Sequence, residues 1–265
     1  MILIDGIKAP RAAIWRVADY LLSGLSGLGV ICLAVALWQL GSQIFGEFLL
    51  PSPQVVFVRA YEILANYKSS DIPVTLFRAV VGVGVSCVVG ITLGLIAGYY
   101  KSFAAFLKPF ITILLSMPPI IWVVLALFWF SFGNVSTIFT IIITSIPLTF
   151  ASSMVGMMSV NEQLKEMFDA YDLGILKKIH HLYLPHLTSY IISSLSVAVG
   201  MGVKIVIMAE LLGASDGVGS KIADARVMLD TPSVMAYVVL VITLVMLFEY
   251  LIIEPLKILL MPWKR

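Results

Sequence analysis

Long stretches without charged residues divide this sequence, and the longest has no Asp, Glu, Lys or Arg from residue 109 to residue 161. A helix needs about 20 apolar residues to cross a hydrocarbon core of about 30 Å, so this stretch is too long for one crossing. Phe132-Gly133-Asn134 in its middle predicts a tight turn between two helices. Four further uncharged stretches each predict one crossing, and they cover residues 21–46, 79–100, 182–203 and 231–248. The helix predicted for residues 182–203 is expected to continue to about Leu212.

The composition places the chain among membrane proteins. Apolar residues make up 60% of it and charged residues 12%, whereas charged residues are about 25% of a soluble domain. The formal net charge is only +2 and the sequence has no basic run, so nucleic acid is not a predicted partner. We therefore predict an all-α, polytopic membrane protein with about six transmembrane helices. A cytoplasmic segment of residues 1–20 is expected to precede a single transmembrane domain of residues 21–265.

The distribution of Lys and Arg orients the predicted helices, because cytoplasmic loops are enriched in these residues. If the N-terminus is cytoplasmic, the cytoplasmic side receives eleven of them and the outer side four. Both termini are therefore predicted in the cytoplasm. The cytoplasmic set is Lys8, Arg11, Arg16, Lys101, Lys108, Lys165, Lys177, Lys178, Lys257, Lys264 and Arg265, and the outer set is Arg59, Lys68, Lys221 and Arg226.

The cytoplasmic connection between the predicted fourth and fifth helices is long and amphipathic. Its apolar residues have helical spacing on both sides of Asp172-Leu173-Gly174, which predicts two short helices. They are Leu164, Met167, Phe168 and Tyr171 before this break, and Ile175, Ile179, Leu182 and Tyr183 after it. Such a pair either docks on a partner protein or rests on the inner surface of the bilayer. The length, which exceeds what a connection needs, favours docking.

The same connection carries a sequence pattern. Glu166, Ala170, Gly174 and Leu184-Pro185 resemble the cytoplasmic EAA loop of ABC-importer permeases, in which Glu-Ala-Ala is followed by a glycine and later by Ile-x-Leu-Pro. The spacing from Glu166 to Pro185 matches, but several residue types depart from the pattern. Met167 and Phe168 stand at the two alanines, Asp172 at the glycine and Leu182 at the isoleucine.

Other segments are similar to the nitrate/sulfonate/taurine branch of this family, so that the resemblance covers the chain from Trp38 onward. They are Leu50-Pro51-Ser52-Pro53 after the first helix, Arg78-Ala79 to Gly98 in the second, Ser116-Met117-Pro118 to Trp129-Phe130 in the third, and Ala209-Glu210 with Gly217-Val218-Gly219 near the end of the fifth. In the third helix, Val124 replaces a second proline that is often found there. After Leu50-Pro51-Ser52-Pro53, residues 54–66 also predict a helix on the membrane surface.

The resemblance implies a function and a set of partners. It implies a non-enzymatic permease subunit of an ATP-driven importer in the bacterial plasma (inner) membrane, which forms the solute path. The implied partners are a second copy of the chain, two ATPase subunits and an extracytoplasmic solute-binding protein. No cofactor is expected in this chain, since ATP and Mg belong to the ATPase. The loop residues implied in ATPase coupling are Glu166, Met167, Phe168, Ala170, Tyr171, Asp172, Gly174, Leu184 and Pro185, with Pro185 ending the docking helix.

A stand-alone secondary transporter or channel is the alternative function. Against it, the sequence shows no evident inverted repeat and no chain of intramembrane acidic residues. No Gly-x-x-x-x-Gly-Lys-Ser/Thr loop is present, so the ATPase is expected to be a separate polypeptide. No nucleophile, base or metal set suggests an enzyme. His180, His181 and His186 are not a predicted metal site, because adjacent histidines point apart on a helix.

Charged residues within the predicted spans are expensive and suggest function. Arg78 is near the outer surface, where extension to the interface is the structural alternative. Lys204 is deeper and is expected to face protein or a cavity, either guiding an anionic or polar solute or tying helices together. Glu210 is turned by about 240° from Lys204, so it is expected to contact another helix or the outer loop. The predicted translocation path comprises Arg78, Met117, Pro118, Trp122, Lys204 and Glu210.

Two further features carry predictions. Pro118-Pro119 leaves backbone groups of the third helix without helical hydrogen bonds. Either this segment lines the route together with Met117 and Trp122, or it is a plain kink. Small residues on the fifth helix permit close approach between two copies, so this helix is predicted nearest the dimer axis. These small residues are Ser193, Ser194, Ser196, Ala198, Gly200 and Gly202.

Overall fold

The computed structural model describes residues 13–66, 70–250 and 255 of the chain. All regular elements in these ranges are helical, which confirms the predicted all-α membrane fold. The helices are α1 (Ala13–Phe45), α2 (Pro53–Ala65), α3 (Ile72–Tyr99), α4 (Lys101–Ser116), α5 (Pro119–Phe130), α6 (Asn134–Met158), α7 (Glu162–Ala170), α8 (Ile175–Lys178), α9 (Leu184–Gly213), α10 (Val218–Val227) and α11 (Thr231–Phe248).

The chain divides into two compact units between Val58 and Arg59. In the first unit, the Leu-Pro-Ser-Pro segment is fixed by Trp38, whose indole N–H donates a hydrogen bond to the carbonyl of Pro51 at 3.0 Å. Pro53 then begins α2, at the helical position where proline is most favoured. The surface helix predicted over residues 54–66 is confirmed as a helix.

The first predicted crossing, residues 21–46, falls within α1. The apolar part of α1 whose side chains the structure describes, Gly29–Phe45, is shorter than a full crossing. This crossing, and the single transmembrane domain predicted from residue 21 onward, therefore stay predictions. The count of six helices is not confirmed for the same reason.

In the second unit, α3 and α6 form a closely packed parallel pair. Four glycines of α3 face α6. The residue number of the facing position on α6 increases together with that of the glycine, which occurs only when two helices are parallel. A Cβ atom on any of these glycines would lie under 3.0 Å from α6, so small residues permit this close approach. The facing pairs are Gly82 with Ile141, Gly90 with Thr149, Gly94 with Ser153 and Gly98 with Met157.

The helices α4 and α5 together make one bent crossing. Because α3 and α6 run in the same direction, the chain between them must return across the bundle. The axes of α4 and α5 differ by 96°, so the prediction of the third helix as a straight span is wrong. It begins at Lys101 rather than Pro109 and breaks at Met117 and Pro118, which have extended backbone. The physical reason is Pro118-Pro119, since a residue before proline is disfavoured in the helical conformation.

Two other sequence expectations for this unit are confirmed. The turn at Phe132-Gly133-Asn134 separates α5 from α6, and Gly133 has a φ of 138° that favours glycine. The fifth predicted helix does continue past Lys204, because α9 ends at Gly213. Counting α4 and α5 as one crossing, residues 70–250 contain five candidate crossings.

The helix α9 runs antiparallel to α3 and α6 and completes the core. Gly156 of α6 faces the ring of Tyr190, and Gly202 faces Val83 of α3. The buried core between the three helices is apolar and consists of Ala79, Val83, Cys87, Ile141, Ala198, Val199, Val203, Ile205 and Val206. One end of this bundle holds Arg78 and is called the Arg78 end. The other end holds the loop between α6 and α9 and is called the Met158 end.

Candidate functional site

The loop at the Met158 end begins with a well-capped helix, as predicted. The side-chain oxygen of Asn161 accepts hydrogen bonds from the backbone N–H groups of Gln163, at 2.9 Å, and Leu164, at 3.4 Å. An Asn at this position satisfies N–H groups that have no partner within the helix. The amphipathic segment at residues 162–170 is therefore a helix of its own, α7.

Asp172 ends α7 in the left-handed backbone conformation, with a φ of 48°. The N–H of Leu173 bonds to the carbonyl of Phe168 at 3.1 Å, and the N–H of Asp172 bonds to that of Asp169 at 3.0 Å. These two bonds define a Schellman motif, which usually carries glycine at the left-handed position. The departure of Asp172 from the glycine of the EAA pattern is therefore conservative in backbone terms, because aspartate tolerates this conformation better than most residues.

This geometry predicts the outcome of two substitutions at one position. Asp172→Gly should leave the loop as stable as before or more stable, whereas Asp172→Val should destabilise the α7 end by about 1–2 kcal/mol, since a β-branched residue disfavours positive φ. Hydrogen exchange at the amide of Leu173 measures this directly. Faster exchange is expected only in the valine variant. Equal exchange in both variants would contradict the assignment of strain to the backbone.

The second half of the loop differs from its prediction. The segment after Gly174 is not a separate helix, because α8 passes through a π-helical turn, Ile179–Tyr183, directly into α9. The prediction that Pro185 ends the docking helix is therefore wrong. The physical reason is the π turn, in which the N–H of Leu184 bonds to the carbonyl of Ile179. This wider turn precedes Pro185 and makes room for a ring that would otherwise clash with the preceding turn.

The loop presents an uncovered apolar surface. Tyr171 is 74% exposed and Leu176 83% exposed, and an ion pair between Lys178 and Asp169 joins α8 to α7. Phe168 and Pro185 are half-buried, and the other residues predicted to contact an ATPase are exposed. These are Glu166, Met167, Ala170, Tyr171, Asp172, Gly174 and Leu184. We call the exposed residues of α7, of α8 and of the turn between them the loop surface.

A hydrogen-bonded group closes the base of this loop. The Oγ of Ser159, the residue after α6, lies 3.0 Å from Nε2 of His186 and donates a hydrogen bond of 3.0 Å to the hydroxyl of Tyr190. The two partners are one turn apart on α9. These contacts tie the end of α6 to the first turn of α9 at the base of the loop.

A buried network of charges lies at the Arg78 end. Arg78 is only 1% exposed, so the alternative that its side chain extends to the membrane surface is wrong. Its guanidinium donates to Oε1 of Glu210 at 2.8 Å, Oδ1 of Asp216 at 2.5 Å and Oδ1 of Asn134 at 2.7 Å. It also donates to the carbonyl of Asp216 at 3.0 Å. Arg78 thereby joins α3 to α6, α9 and the segment before α10.

Glu210 is the acceptor at the centre of this network. Its Oε2 accepts hydrogen bonds from the hydroxyl of Thr75 at 2.8 Å and from the N–H of Gly219 at 3.0 Å. Gly217 has a φ of 102°, and a Cβ atom there would collide with the carboxylate. Gly217-Val218-Gly219 is therefore the turn that lets the chain fold over Glu210. The expectation that Glu210 contacts another helix or the outer loop is confirmed, since it contacts both.

Sequence reasoning missed three members of this network, namely Thr75, Asn134 and Asp216. Thr75 precedes Arg78 by one helical turn and so shares its face, which is a signal available in the sequence. Asn134 had been assigned only to a turn. Asp216 gave no signal, because its partner lies far away in the sequence. The network places Arg78 and Glu210 in packed protein, where every polar group has a partner.

Lys204 lies on the outward face of α9. It is exposed on the single chain, while Val203 and Ile205 beside it are buried. It makes no hydrogen bond or ion pair within the part of the chain that the structure describes. Gly200, one turn earlier, has open space where a Cβ atom would lie. Whether Lys204 faces protein or a cavity, as expected, therefore depends on what covers this face of α9.

The small residues of α9 divide between two faces. Ser194, Ala198 and Gly202 are buried in the protomer core, whereas Ser193 is exposed and Ser196 and Gly200 are half-buried. Only the second set is available to a second copy of the chain. The small residues of α9 thus serve packing inside the protomer as much as approach from outside.

The break between α4 and α5 precedes a helix whose end contacts α9. The end of α5 contacts the end of α9, where Leu127 covers Gly213, and both helices run toward the Arg78 end. Just after the break, the Nε1 of Trp122 is buried and has no hydrogen-bond partner among the described residues. The break is therefore accompanied by a buried donor whose partner is not among the described residues.

Comparison with known proteins assigns the family. The family described as "Binding-protein-dependent transport system inner membrane component" matches residues 90–255, which is more than half of the chain. The chain belongs to this family. It is therefore a transport permease, the membrane subunit of an ABC importer, and the alternative of a stand-alone transporter is not supported.

Curated relatives of this permease are similar over most of their length. The formylaminopyrimidine transport permease protein ThiX of Halalkalibacterium halodurans is 25% identical over 87% of this chain and 92% of that protein. The putative aliphatic sulfonates transport permease protein SsuC of Bacillus subtilis is 26% identical over 82% and 79%. The nitrate import permease protein NrtB of Synechococcus elongatus is 29% identical over 74% and 75%. The resemblance to the nitrate/sulfonate branch is thereby confirmed.

A solved structure supports the fold of this permease. A chain of the MetNI methionine ABC transporter in an inward-facing conformation matches with a TM-score of 0.57 and 18% identity. The match covers 69% of this permease and 92% of that chain. At this identity the similarity concerns the fold alone.

Proposed function

We propose that two copies of this permease assemble with two ATPase subunits and an extracytoplasmic solute-binding protein in a bacterial plasma (inner) membrane. The loop surface docks on an ATPase, and both termini are cytoplasmic. ATP and Mg are bound by the ATPase, so the permease itself carries no cofactor and catalyses no reaction. Membership in the binding-protein-dependent family supports the partners, and the loop surface is the observation that carries the coupling role.

The loop surface has the properties of a docking site. Large apolar side chains on a short helix fit a groove of a partner, and charged flanking residues set the register. The Schellman motif at Asp172 and the Lys178–Asp169 ion pair fix the angle between α7 and α8 before any partner binds. A rigid surface loses less entropy on docking. The fixed base at Ser159 and His186 then passes movement of the loop to α6 and α9.

The second copy is proposed to meet this one along the outward face of α9. In a Cys32→Ser background, which removes the exposed native cysteine, Gly200→Cys should form disulfide-linked dimers under mild oxidation. Ser194→Cys is the matched control, because this residue on the same helix is buried in the protomer. Dimer bands are expected on denaturing gels for Gly200→Cys alone. Monomer at Gly200, Val197 and Ser193 would contradict the proposed axis.

A small anion is the solute class that we propose. Nitrate and aliphatic sulfonates, named for two of the relatives, are anions, and Lys204 is an exposed cation without a partner among the described residues. Two copies would bring two such lysines to the route. The broken crossing at Pro118 supports the same route, since backbone freed from a helix is tolerated at membrane depth where it lines a cavity.

Lys204→Met tests this proposal. It keeps the apolar stem and removes the charge, so uptake of nitrate or an aliphatic sulfonate by the complete transporter should fall about tenfold or more. A unit charge about 4 Å from an anion contributes a few kcal/mol at an effective dielectric constant of about 20. Lys204→Arg, which keeps the charge, should retain most of the uptake, and both variants should unfold at the original temperature. A lower unfolding temperature for Lys204→Met would instead favour a structural tie.

A further inference from the structure

An apolar cavity opens between α3 and α11 at the Arg78 end, and no feature of the transport route uses it. Its volume is about 190 Å³. Five helices contribute to its wall. The lining includes Leu64 of α2, Leu76 and Ala79 of α3, Val203 of α9, Val218 of α10, and Leu244 of α11.

The chemistry of the wall favours apolar ligands, because all of the lining residues except Thr75, Thr243 and Tyr237 are apolar. The two threonines in the lining have their hydroxyl groups engaged: Thr75 bonds to Glu210 and accepts from the N–H of Val218, and Thr243 donates to the carbonyl of Val239. Water needs two to four polar partners to be stable in a cavity. Hydrocarbon is therefore the occupant that this wall fits.

The cavity is open at the side of the single chain. Leu76 on α3 and Leu247 on α11 both line it and are both exposed among the described residues, as the mouth of a hydrocarbon-filled cavity requires. Along α11 the lining runs from Tyr237 to Leu247, which is about 15 Å at 1.5 Å per residue. Half of a hydrocarbon core of about 30 Å is the same length. The cavity is thus about as long as the hydrocarbon of one leaflet is deep.

A polar pocket adjoins the cavity at its membrane-surface end. Tyr237 lines both, and the polar pocket is otherwise formed by Arg59, Glu62, Ile63, Asn66 and Ser70. The guanidinium of Arg59 donates to Glu62 at 2.9 Å and to the hydroxyl of Ser233 at 2.9 Å. The hydrogen bond that Arg59 donates to Glu62 raises the pKa of Arg59 above its usual value, so this side chain stays charged.

Charge in this pocket selects the headgroup. Arg59 is the cation there, and two carboxylates lie close to it, Glu62 and, at 3.7 Å, Asp230. A net negative headgroup would be repelled by these two carboxylates. A zwitterionic headgroup meets both signs, with its phosphate near Arg59 and its ammonium near Glu62. A primary ammonium is favoured because it donates hydrogen bonds to the carboxylate, which a quaternary one does not.

We propose that this cavity and the adjoining polar pocket form a binding site for one zwitterionic phospholipid with a primary ammonium headgroup. Part of one acyl chain occupies the cavity between α3 and α11, and the headgroup lies at Arg59 and Glu62. The lipid completes the packing of α11 against the bundle. This role is independent of the solute carried.

Lipid retention by the purified complete transporter tests the site. Leu244→Trp fills the cavity, and Ile242→Trp is the matched control, because Ile242 lies on the same helix, is 51% exposed and does not line the cavity. Native mass spectrometry after exchange into detergent with equal amounts of phosphatidylethanolamine and phosphatidylglycerol counts the retained lipids. The original chain and Ile242→Trp should retain one phosphatidylethanolamine per permease. Leu244→Trp should retain at least tenfold less.

A second measurement covers the case in which Leu244→Trp folds poorly. Phosphatidylethanolamine added to the delipidated original transporter should raise its unfolding temperature, and it should do so less for Glu62→Gln, which weakens the ammonium contact. Equal retention in Leu244→Trp and Ile242→Trp overturns the proposal. So does retention without preference between the two lipids. A disulfide between Leu247→Cys residues of two copies would show that a second copy covers the cavity, and would overturn it as well.

Discussion

Arg78→Met should lower the free energy of unfolding by about 3–5 kcal/mol, the largest stability effect that we expect from a single substitution in this permease. The side chain of Glu210 is fully buried, so removing Arg78 leaves a buried carboxylate without its counter-charge. Removal of one partner from a buried ion pair typically lowers the free energy of unfolding by this amount. The unfolding temperature in a fixed detergent measures it. Arg226→Met, at an exposed arginine of α10, is the control and should change stability by about 0.5 kcal/mol or less.

A double substitution separates the charge effect from lost packing. Glu210→Gln removes the stranded charge while keeping an acceptor for Thr75, so Arg78→Met with Glu210→Gln should be more stable than Arg78→Met alone. Residues in one network are expected to be non-additive by roughly 0.5–3 kcal/mol. If Arg78→Met unfolded at the original temperature, the buried network would not hold α3, α6 and α9 together. Asp216 is partly exposed and can be hydrated in the double variant.

Glu166→Arg should abolish assembly with the ATPase and, with it, uptake. Glu166 is exposed on α7 and makes no hydrogen bond or ion pair among the described residues, so its substitution leaves the permease itself intact. Reversing a charge within a docking surface costs about 2–5 kcal/mol, or at least thirtyfold in affinity. Co-purification of the ATPase with the detergent-solubilised permease measures assembly.

Two controls accompany this prediction. Glu166→Gln keeps the size and should retain more of the assembly than the arginine variant. The unfolding temperature of the isolated permease should be the same for all three forms, which shows that the effect lies at the interface. Normal assembly together with normal uptake in Glu166→Arg would contradict the role of the loop surface.

Local chemistry predicted those parts of the fold that depend on neighbours in the sequence. The turn at Gly133 followed from a glycine between two apolar stretches, and the extent of α9 followed from a long run whose charged residues are only Lys204 and Glu210. The helix α7 followed from the spacing of Leu164, Met167, Phe168 and Tyr171. Each of these is a short-range property that the chain encodes within one or two helical turns.

The errors arose where a proline or a distant residue decided the structure. Pro185 predicts a helix end, but the preceding π turn accommodates it. From the sequence, Pro118-Pro119 could mark either a plain kink or part of the route. The bend of 96° between α4 and α5 is recognised as lying within one crossing only because α3 and α6 are parallel. Arg78 looked free to reach the surface because Asp216, far along the chain, gave no local signal. Tertiary contacts of this kind are not visible in sequence periodicity.

The central claim is that the loop surface contacts the ATPase, and site-specific photo-cross-linking in native membranes tests it most directly. A photoreactive phenylalanine analogue replaces Tyr171, which is exposed on the loop, or Val227, which is 83% exposed near the Arg78 end. Cross-links to the ATPase are predicted from position 171 and not from position 227. Cross-links to the ATPase from position 227, with none from position 171, would contradict the account.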